Sequence, residues 1–148
     1  MEMKFDHIGI VVEDIKSSIE NYSNNYNFKP LTKIIHEPAH DVDIIFFNFG
    51  HGYMPALEII MPTSNKSKVY NFLKKKGGGM HHLAYEVKDI KKAINYFKSK
   101  NYIVLGDIVP GAGHNNTNTV WLYTIQKELI ELVELQPGIP IEKRLTIK

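Results

Sequence analysis

Apolar residues alternate with small or polar ones over residues 5–12, which predicts a strand. His7, Gly9 and Val11 face one way on it, and Ile8, Ile10 and Val12 the other. Asp14 stands where a helix N-cap belongs, and Ile15, Ile19, Tyr22 and Tyr26 recur at helical spacing as one apolar stripe. Residues 24–30 close that helix. Further strands are expected over residues 44–49 and 56–61, with Gly50-His51-Gly52 as a turn between them and Pro62 ending the second. From Ser67 to Lys76, the residues Val69, Phe72 and Leu73 share one helical face, and Gly77-Gly78-Gly79 stops the helix. The order then starts again: a strand over 80–87, a cap at Asp89, and a helix carrying Ile90, Ala93, Ile94 and Phe97. Strands near 103–105, 119–123 and 128–135 follow. Residues 111–118, rich in Gly and Asn, read as a mobile loop, and the stretch after Gln136 as a polar tail.

The recurrence is also literal. His7 to Ile19 returns 75 residues later as His82 to Ile94, with six of 13 positions identical. Leu57-Glu58-Ile59 likewise returns as Ile130-Glu131-Leu132. The chain is therefore read as two tandem βαβββ modules of an α+β fold, whose repeated His and Glu are a way to build one metal site. Module one covers about 4–64, the linker helix about 66–78, module two about 79–136 and the polar tail 137–148, all in one domain. Each module contributes one His and one Glu. Beside each His on its own face stands a small residue, Gly9 or Ala84, which leaves room next to the imidazole. Each Glu lies between apolar strand neighbours, where a lone carboxylate is costly to bury unless it is paired or metal-bound. His7, Glu58, His82 and Glu131 are thus the candidate metal ligands.

Composition narrows the chemistry. There is no cysteine, so a metal must take His and carboxylate ligands. Two imidazoles and two carboxylates suit Co²⁺, Ni²⁺, Mn²⁺, Zn²⁺ or Fe²⁺ without choosing among them. With 18 basic and 16 acidic side chains, the net charge of +2 points to neither nucleic acid nor a membrane surface. No apolar run approaches the ~20 residues of a membrane span. The first residues lack the apolar core of a signal peptide, so a cytoplasmic location is the expectation.

Several segments resemble the vicinal oxygen chelate superfamily, which includes glyoxalase I, methylmalonyl-CoA epimerase, extradiol dioxygenases and bleomycin or fosfomycin resistance proteins. Phe5-Asp6-His7-Ile8-Gly9-Ile10-Val11-Val12 resembles its opening strand, and Ala56 to Ser64 its second ligand strand. Val69 to Ala84, with its linker helix, glycines and His81-His82 pair, is the most specific piece. Leu129-Ile130-Glu131-Leu132 resembles the final ligand strand. The epimerase subfamily is the nearest in pattern. The resemblance implies a cupped mixed sheet around a divalent metal, the same four ligands, with His82 rather than His81 in the role, and a homodimer. Two stretches depart from it. Leu122-Tyr123-Thr124-Ile125-Gln126 lacks the His-Pro pair of epimerase-type relatives, and the 111–118 loop is longer, with His114 inserted.

The function so implied is a divalent-metal-dependent epimerase of an acyl-CoA such as methylmalonyl-CoA. It removes an α-proton through a metal-stabilised enolate, with a small-molecule substrate as partner. Inversion needs a base on one face and an acid on the other. Glu131 is the candidate for one, and Asp43, on a strand entering the cup beside His40 and Asp41, for the second. Two alternatives stand: a glyoxalase I type lyase using the same ligands, and a binding or resistance protein that sequesters a small molecule. An extradiol dioxygenase needs two His and one carboxylate, so Glu58 speaks against it. Lys66, Lys68, Lys74, Lys75 and Lys76 are expected on a solvated helix face, with contact to CoA phosphates as the alternative. His36, His51, His81 and His114 are expected to have no role, His81 alternating away from His82 and His114 lying on a surface loop. Trp121 and the Phe46-Phe47-Phe49 cluster are expected in the core.

Overall fold

The structure is a computed structural model describing residues 1–50 and 52–146, so His51 and the last two residues of the tail lie outside the described residues. β1 (Met3–Val11) leads into α1 (Ile15–Asn25), then β2 (Ile35–Glu37), β3 (Val42–Asn48) and β4 (Ala56–Pro62). After α2 (Lys68–Lys76) come β5 (Gly79–Val87), α3 (Ile90–Ser99), β6 (Ile103–Gly111), β7 (Thr117–Tyr123) and β8 (Leu129–Glu134). The strands form one sheet in the order β2-β3-β4-β1-β5-β8-β7-β6. That order is its own mirror image when each strand of module one is exchanged for its counterpart in module two. The two modules therefore meet along the antiparallel β1–β5 pair, and each β1–β4 or β5–β8 pair inside a module is parallel.

Capping sets the helix starts. Asp14 accepts a hydrogen bond from Lys16 N at 3.0 Å, Asp89 from Lys92 N at 2.9 Å, and Ser67 from Val69 N at 3.4 Å. Gly77 ends α2 in the left-handed region, φ 76°, which lets its N–H reach Leu73 O. α1 stops at Asn25, so Tyr26 leaves the expected stripe and stands exposed, in contact with Tyr22 and Phe28.

Strand parity divides the core. On the outer face of module one, Ile10, Val12, Ile45, Phe47, Leu57 and Ile59 pack against Ile15, Ile19 and Tyr22 of α1. The outer face of module two does the same, Tyr85, Val87, Val120 and Leu132 meeting Ile90, Ala93 and Phe97 of α3. The inner face of module one holds Val11, Val42, Ile44, Phe46, Ala56 and Ile60, and Val69, Phe72 and Leu73 of α2 close over it. Burial of each such side chain contributes roughly 1.5–3 kcal/mol before the entropy of ordering is subtracted.

Two expectations change. The 111–118 segment is ordered: β6 runs to Gly111, residues 112–114 form a 3-10 turn, and β7 begins at Thr117. The tail holds that turn in place. Thr146 donates to Ala112 O at 2.6 Å, and Asn115 reaches Lys143 O and Gln136 Oε1 at 2.8 and 2.9 Å. The tail is also not uniformly polar in its role, for Leu145 is buried among Val11, Phe46 and Ala56.

Candidate metal centre

The sheet register brings the four predicted ligands to one point. Gly9 of β1 pairs with Glu58 of β4 on one side and His82 of β5 on the other. Ala84 of β5 pairs with His7 of β1 and Glu131 of β8. Each small residue is thus straddled by a His from one neighbour and a Glu from the other. The room that it leaves is filled by an imidazole. A Cβ on Gly9 would lie 2.2 Å from His82 Cε1.

His7, Glu58, His82 and Glu131 are all buried, and each offers one ligand atom within 4.8 Å of the others. His7 Nε2 lies 3.1 Å from His82 Nε2, 3.1 Å from Glu58 Oε2 and 3.2 Å from Glu131 Oε2. His82 Nε2 lies 3.3 and 3.4 Å from the same two carboxylate oxygens. Atoms bound to one ion at about 2.0–2.2 Å, the usual length for imidazole and carboxylate ligands, stand about 3.0–3.5 Å apart. The donor set also balances a dication, since two carboxylates and two neutral imidazoles leave it neutral. The residues present fit a divalent metal.

Their own electrostatics say the same. Burial would raise the Glu58 carboxyl, but the His7 and His82 imidazoles outweigh it and hold it at about 2. Glu131 is held well below the carboxylate range in the same way, burial again opposing. His7 is driven well above the usual histidine value: burial would lower it, and Glu58, Asp6 and Glu131 prevail. His82 is raised by Glu131 and Glu58 against its burial. A cation at this point would satisfy both carboxylates without charging either imidazole.

Strict alternation missed the neighbours of the two histidines. The β1–β5 ladder shifts register between Phe5 and His7, and again between Gly9 and Ile10 opposite His81. These irregularities fall on the residue before each ligand His. A bulge re-aims a side chain that alternation would send to the other face. Asp6 Oδ2 consequently accepts from His7 Nδ1 at 2.6 Å, which leaves Nε2 for the metal. In the second copy His81 Nδ1 lies 3.0 Å from His82 Nδ1, and the His81 ring meets Phe72 and Trp121, so it does not alternate away. Burial, with the nearby His82, pushes His81 down to about 3.

His114 is buried, 4% exposed, and not on the surface. Its Nε2 lies 2.8 Å from Asp6 Oδ2, and its ring stacks on His7 with centroids 5.3 Å apart. Asp6 is thereby held well below the carboxylate range by His114 and His7 despite its burial. Asp6 was legible only as the residue one step before a ligand in the repeat.

Asp43 does not join this group. It alternates with Val42 and Ile44, turning away from the inner face, and its Oδ1 meets His36 Nδ1 at 3.0 Å near the surface. The expectation that it enters the cup is corrected by that parity. The cavity beside the quartet is lined instead by Glu37, His40 and Trp121, together with Val42, Ile44, Ile60 and Val69. Glu37 is raised by burial and by the Glu131 and Glu58 charges, with its bond to His40 acting the other way. Trp121 is therefore not simple core. It stacks on His40 and leans on His82, and its buried Nε1 has no hydrogen-bond partner among the described residues. Lys74, Lys75 and Lys76 lie in the last turn of α2, where the helix dipole favours cations. Among the described residues no helix is long and apolar enough to cross a membrane.

The Glyoxalase/Bleomycin resistance protein/Dioxygenase superfamily matches the chain over residues 6–119. The mitochondrial methylmalonyl-CoA epimerase of Dictyostelium discoideum is 28% identical over 134 residues, 88% of this chain and 78% of that one. The human mitochondrial methylmalonyl-CoA epimerase is 30% identical over 112 residues, 75% of this chain and 61% of that one. Among solved structures, a methylmalonyl-CoA epimerase of Streptomyces coelicolor in complex with 2-nitronate-propionyl-CoA superposes with a TM-score of 0.79. It is 25% identical and the match covers 90% of this chain and 95% of that one.

Proposed function

Because this chain belongs to the glyoxalase/bleomycin resistance/dioxygenase superfamily, we propose that it is a divalent-metal-dependent epimerase of an acyl-CoA such as methylmalonyl-CoA, acting as a homodimer. The observation that supports this most is the buried quartet of His7, Glu58, His82 and Glu131 in a chain whose similar proteins are epimerases of that substrate.

The four residues would hold the cation, and Asp6 keeps the His7 ring turned so that Nε2 faces the other three. When bound, the cation supplies Lewis-acid stabilisation for the negative charge that grows on the thioester oxygen as the α-proton leaves. Glu131 directs Oε2 at both imidazoles, and a ligand carboxylate of this kind has a second oxygen able to take the α-proton. Val42, Ile44, Ile60 and Val69 wall the cavity and keep bulk water from the carbanionic carbon. Return of a proton to the opposite face inverts the centre.

The test is proton NMR of methylmalonyl-CoA in D₂O with protein reconstituted in Co²⁺, following the α-proton signal. Its loss, abolished in Glu131→Gln protein, is expected. A persistent signal with Co²⁺ demonstrably bound removes the epimerase reading and sends the search to hemithioacetals. Sedimentation analysis checks the dimer.

A further inference from the structure

Glu37 and His40 line the same cavity as the quartet and have no part in the chemistry above. Glu37, the last residue of β2, is buried, and its Oε1 is bonded to His40 Nδ1. The His40 ring lies flat on Trp121, centroids 4.3 Å apart and planes 5° from parallel. The two contacts restrain the ring in different ways. The carboxylate selects Nδ1 as the protonated nitrogen, and the indole sets the plane in which Nε2 points. Among the described residues the His40 ring is hydrogen-bonded through Nδ1 alone. A histidine with a carboxylate behind its Nδ1, lining a cavity that Glu58, His82 and Glu131 also line, is the arrangement that makes imidazole a general base. His40 comes from the β2–β3 turn of module one, whereas Glu131 comes from β8 of module two. The two groups reach the cavity from different modules.

Resting on the epimerase reading, we infer that His40 is the second acid–base group of the reaction and that Glu37 is its positioning residue. From one epimer, His40 Nε2 takes the α-proton. The C–H bond breaks and its electron pair passes to the thioester carbonyl. A proton from solvent, carried by the Glu131 oxygen that does not face the imidazoles, is then delivered to the opposite face and forms the new C–H bond. From the other epimer the two groups exchange tasks. The imidazolium and the carboxylate left after each turnover return to their starting states by proton exchange with solvent, so no other reactant is needed. The Glu37 carboxylate lies against the positive ring formed in the first case.

The experiment uses each pure epimer of methylmalonyl-CoA separately, in D₂O, with metal-loaded protein. In His40→Gln protein the α-proton of one epimer is expected to exchange about 100-fold or more slowly. The other epimer, served by Glu131, continues to exchange, now without inversion. Glu37→Gln slows the same epimer by a smaller factor. Equal slowing of both epimers, or of neither, overturns the assignment. In wild-type metal-free protein at pH 8, imidazole ¹⁵N shifts are expected to show His40 protonated at Nδ1. A neutral Nε2–H tautomer there overturns it independently of any variant. Wild-type protein that holds metal but exchanges neither epimer removes both this assignment and the epimerase reading. Exchange of both by wild type, with equal slowing in His40→Gln, removes this assignment alone.

Discussion

His7 Nε2 and His82 Nε2, 75 residues apart in the chain, face each other at 3.1 Å in the interior. One ring can donate its N–H to the other at that distance, or a cation between them can accept both lone pairs, and the Glu58 and Glu131 oxygens beside both nitrogens favour the cation. Metal-free protein should therefore bind one Co²⁺ or Zn²⁺ per chain by calorimetry. At a free concentration 100-fold above Kd the ion adds about 2.7 kcal/mol of stability. For a chain of this size that raises Tm by roughly 5–10 °C. His7→Ala and Glu58→Ala should abolish the rise, and a rise that persists in both variants places the ion elsewhere.

Gly9 is required for space, not for backbone freedom. The added Cβ of Gly9→Ala would meet the His82 ring at 2.2 Å, so the imidazole must swing aside. The expected outcome is a folded protein, with unchanged far-ultraviolet circular dichroism, whose metal affinity falls by about 10-fold or more.

Asp6→Asn leaves the ligands in place and removes the charge behind His7. Metal affinity should fall about 10- to 100-fold, read by chelator competition, because the Nδ1 partner no longer orients the ring. His114→Gln, one step further out, should have a smaller effect in the same direction.

Glu37 makes stability depend on pH. Burial raises its carboxyl in the folded state above the unfolded value of 4.5. The folded protein therefore binds the extra proton, and the stability this gives is complete below pH 4.5 and is lost as pH rises through the raised value. Glu37→Gln does not titrate. The Tm of the variant relative to wild type should accordingly climb between pH 4 and pH 7, and a flat difference would show that Glu37 titrates normally.

Leu145 ties the tail to the inner face. Leu145→Ala should cost about 2–5 kcal/mol, the range for a buried Leu, and lower Tm by roughly 10 °C. The 3-10 turn that Thr146 anchors should then show faster amide hydrogen exchange, and with it the backbone at His114.

The repeat, the outer-face cores and the convergence of His7, Glu58, His82 and Glu131 could be read from the chain because each rests on local periodicity and on one residue type recurring in register. What escaped depends on pairing between distant strands. The irregularities at Asp6 and His81 come from how β1 is laid against β5, and neither strand alone encodes them. β2, only three residues long, gives too little pattern to be recognised, so Glu37 went unseen and Asp43, on a strand with clear alternation, was favoured in its place. His114 looked exposed because Gly and Asn surround it. Its burial depends on a tail whose one apolar anchor, Leu145, has no periodic companions.

Each module supplies one imidazole and one carboxylate, and the chain passes from one module to the other through α2 and the glycines that follow it. Each half of this protein lays an amphipathic sheet against a helix, but it carries only two of the four candidate ligands. A cation held there would be a clasp between two similar halves, and its occupancy would measure whether they have met. Cutting the chain at the glycines would turn a cofactor site into an assembly sensor, silent in either fragment and restored when the fragments pair.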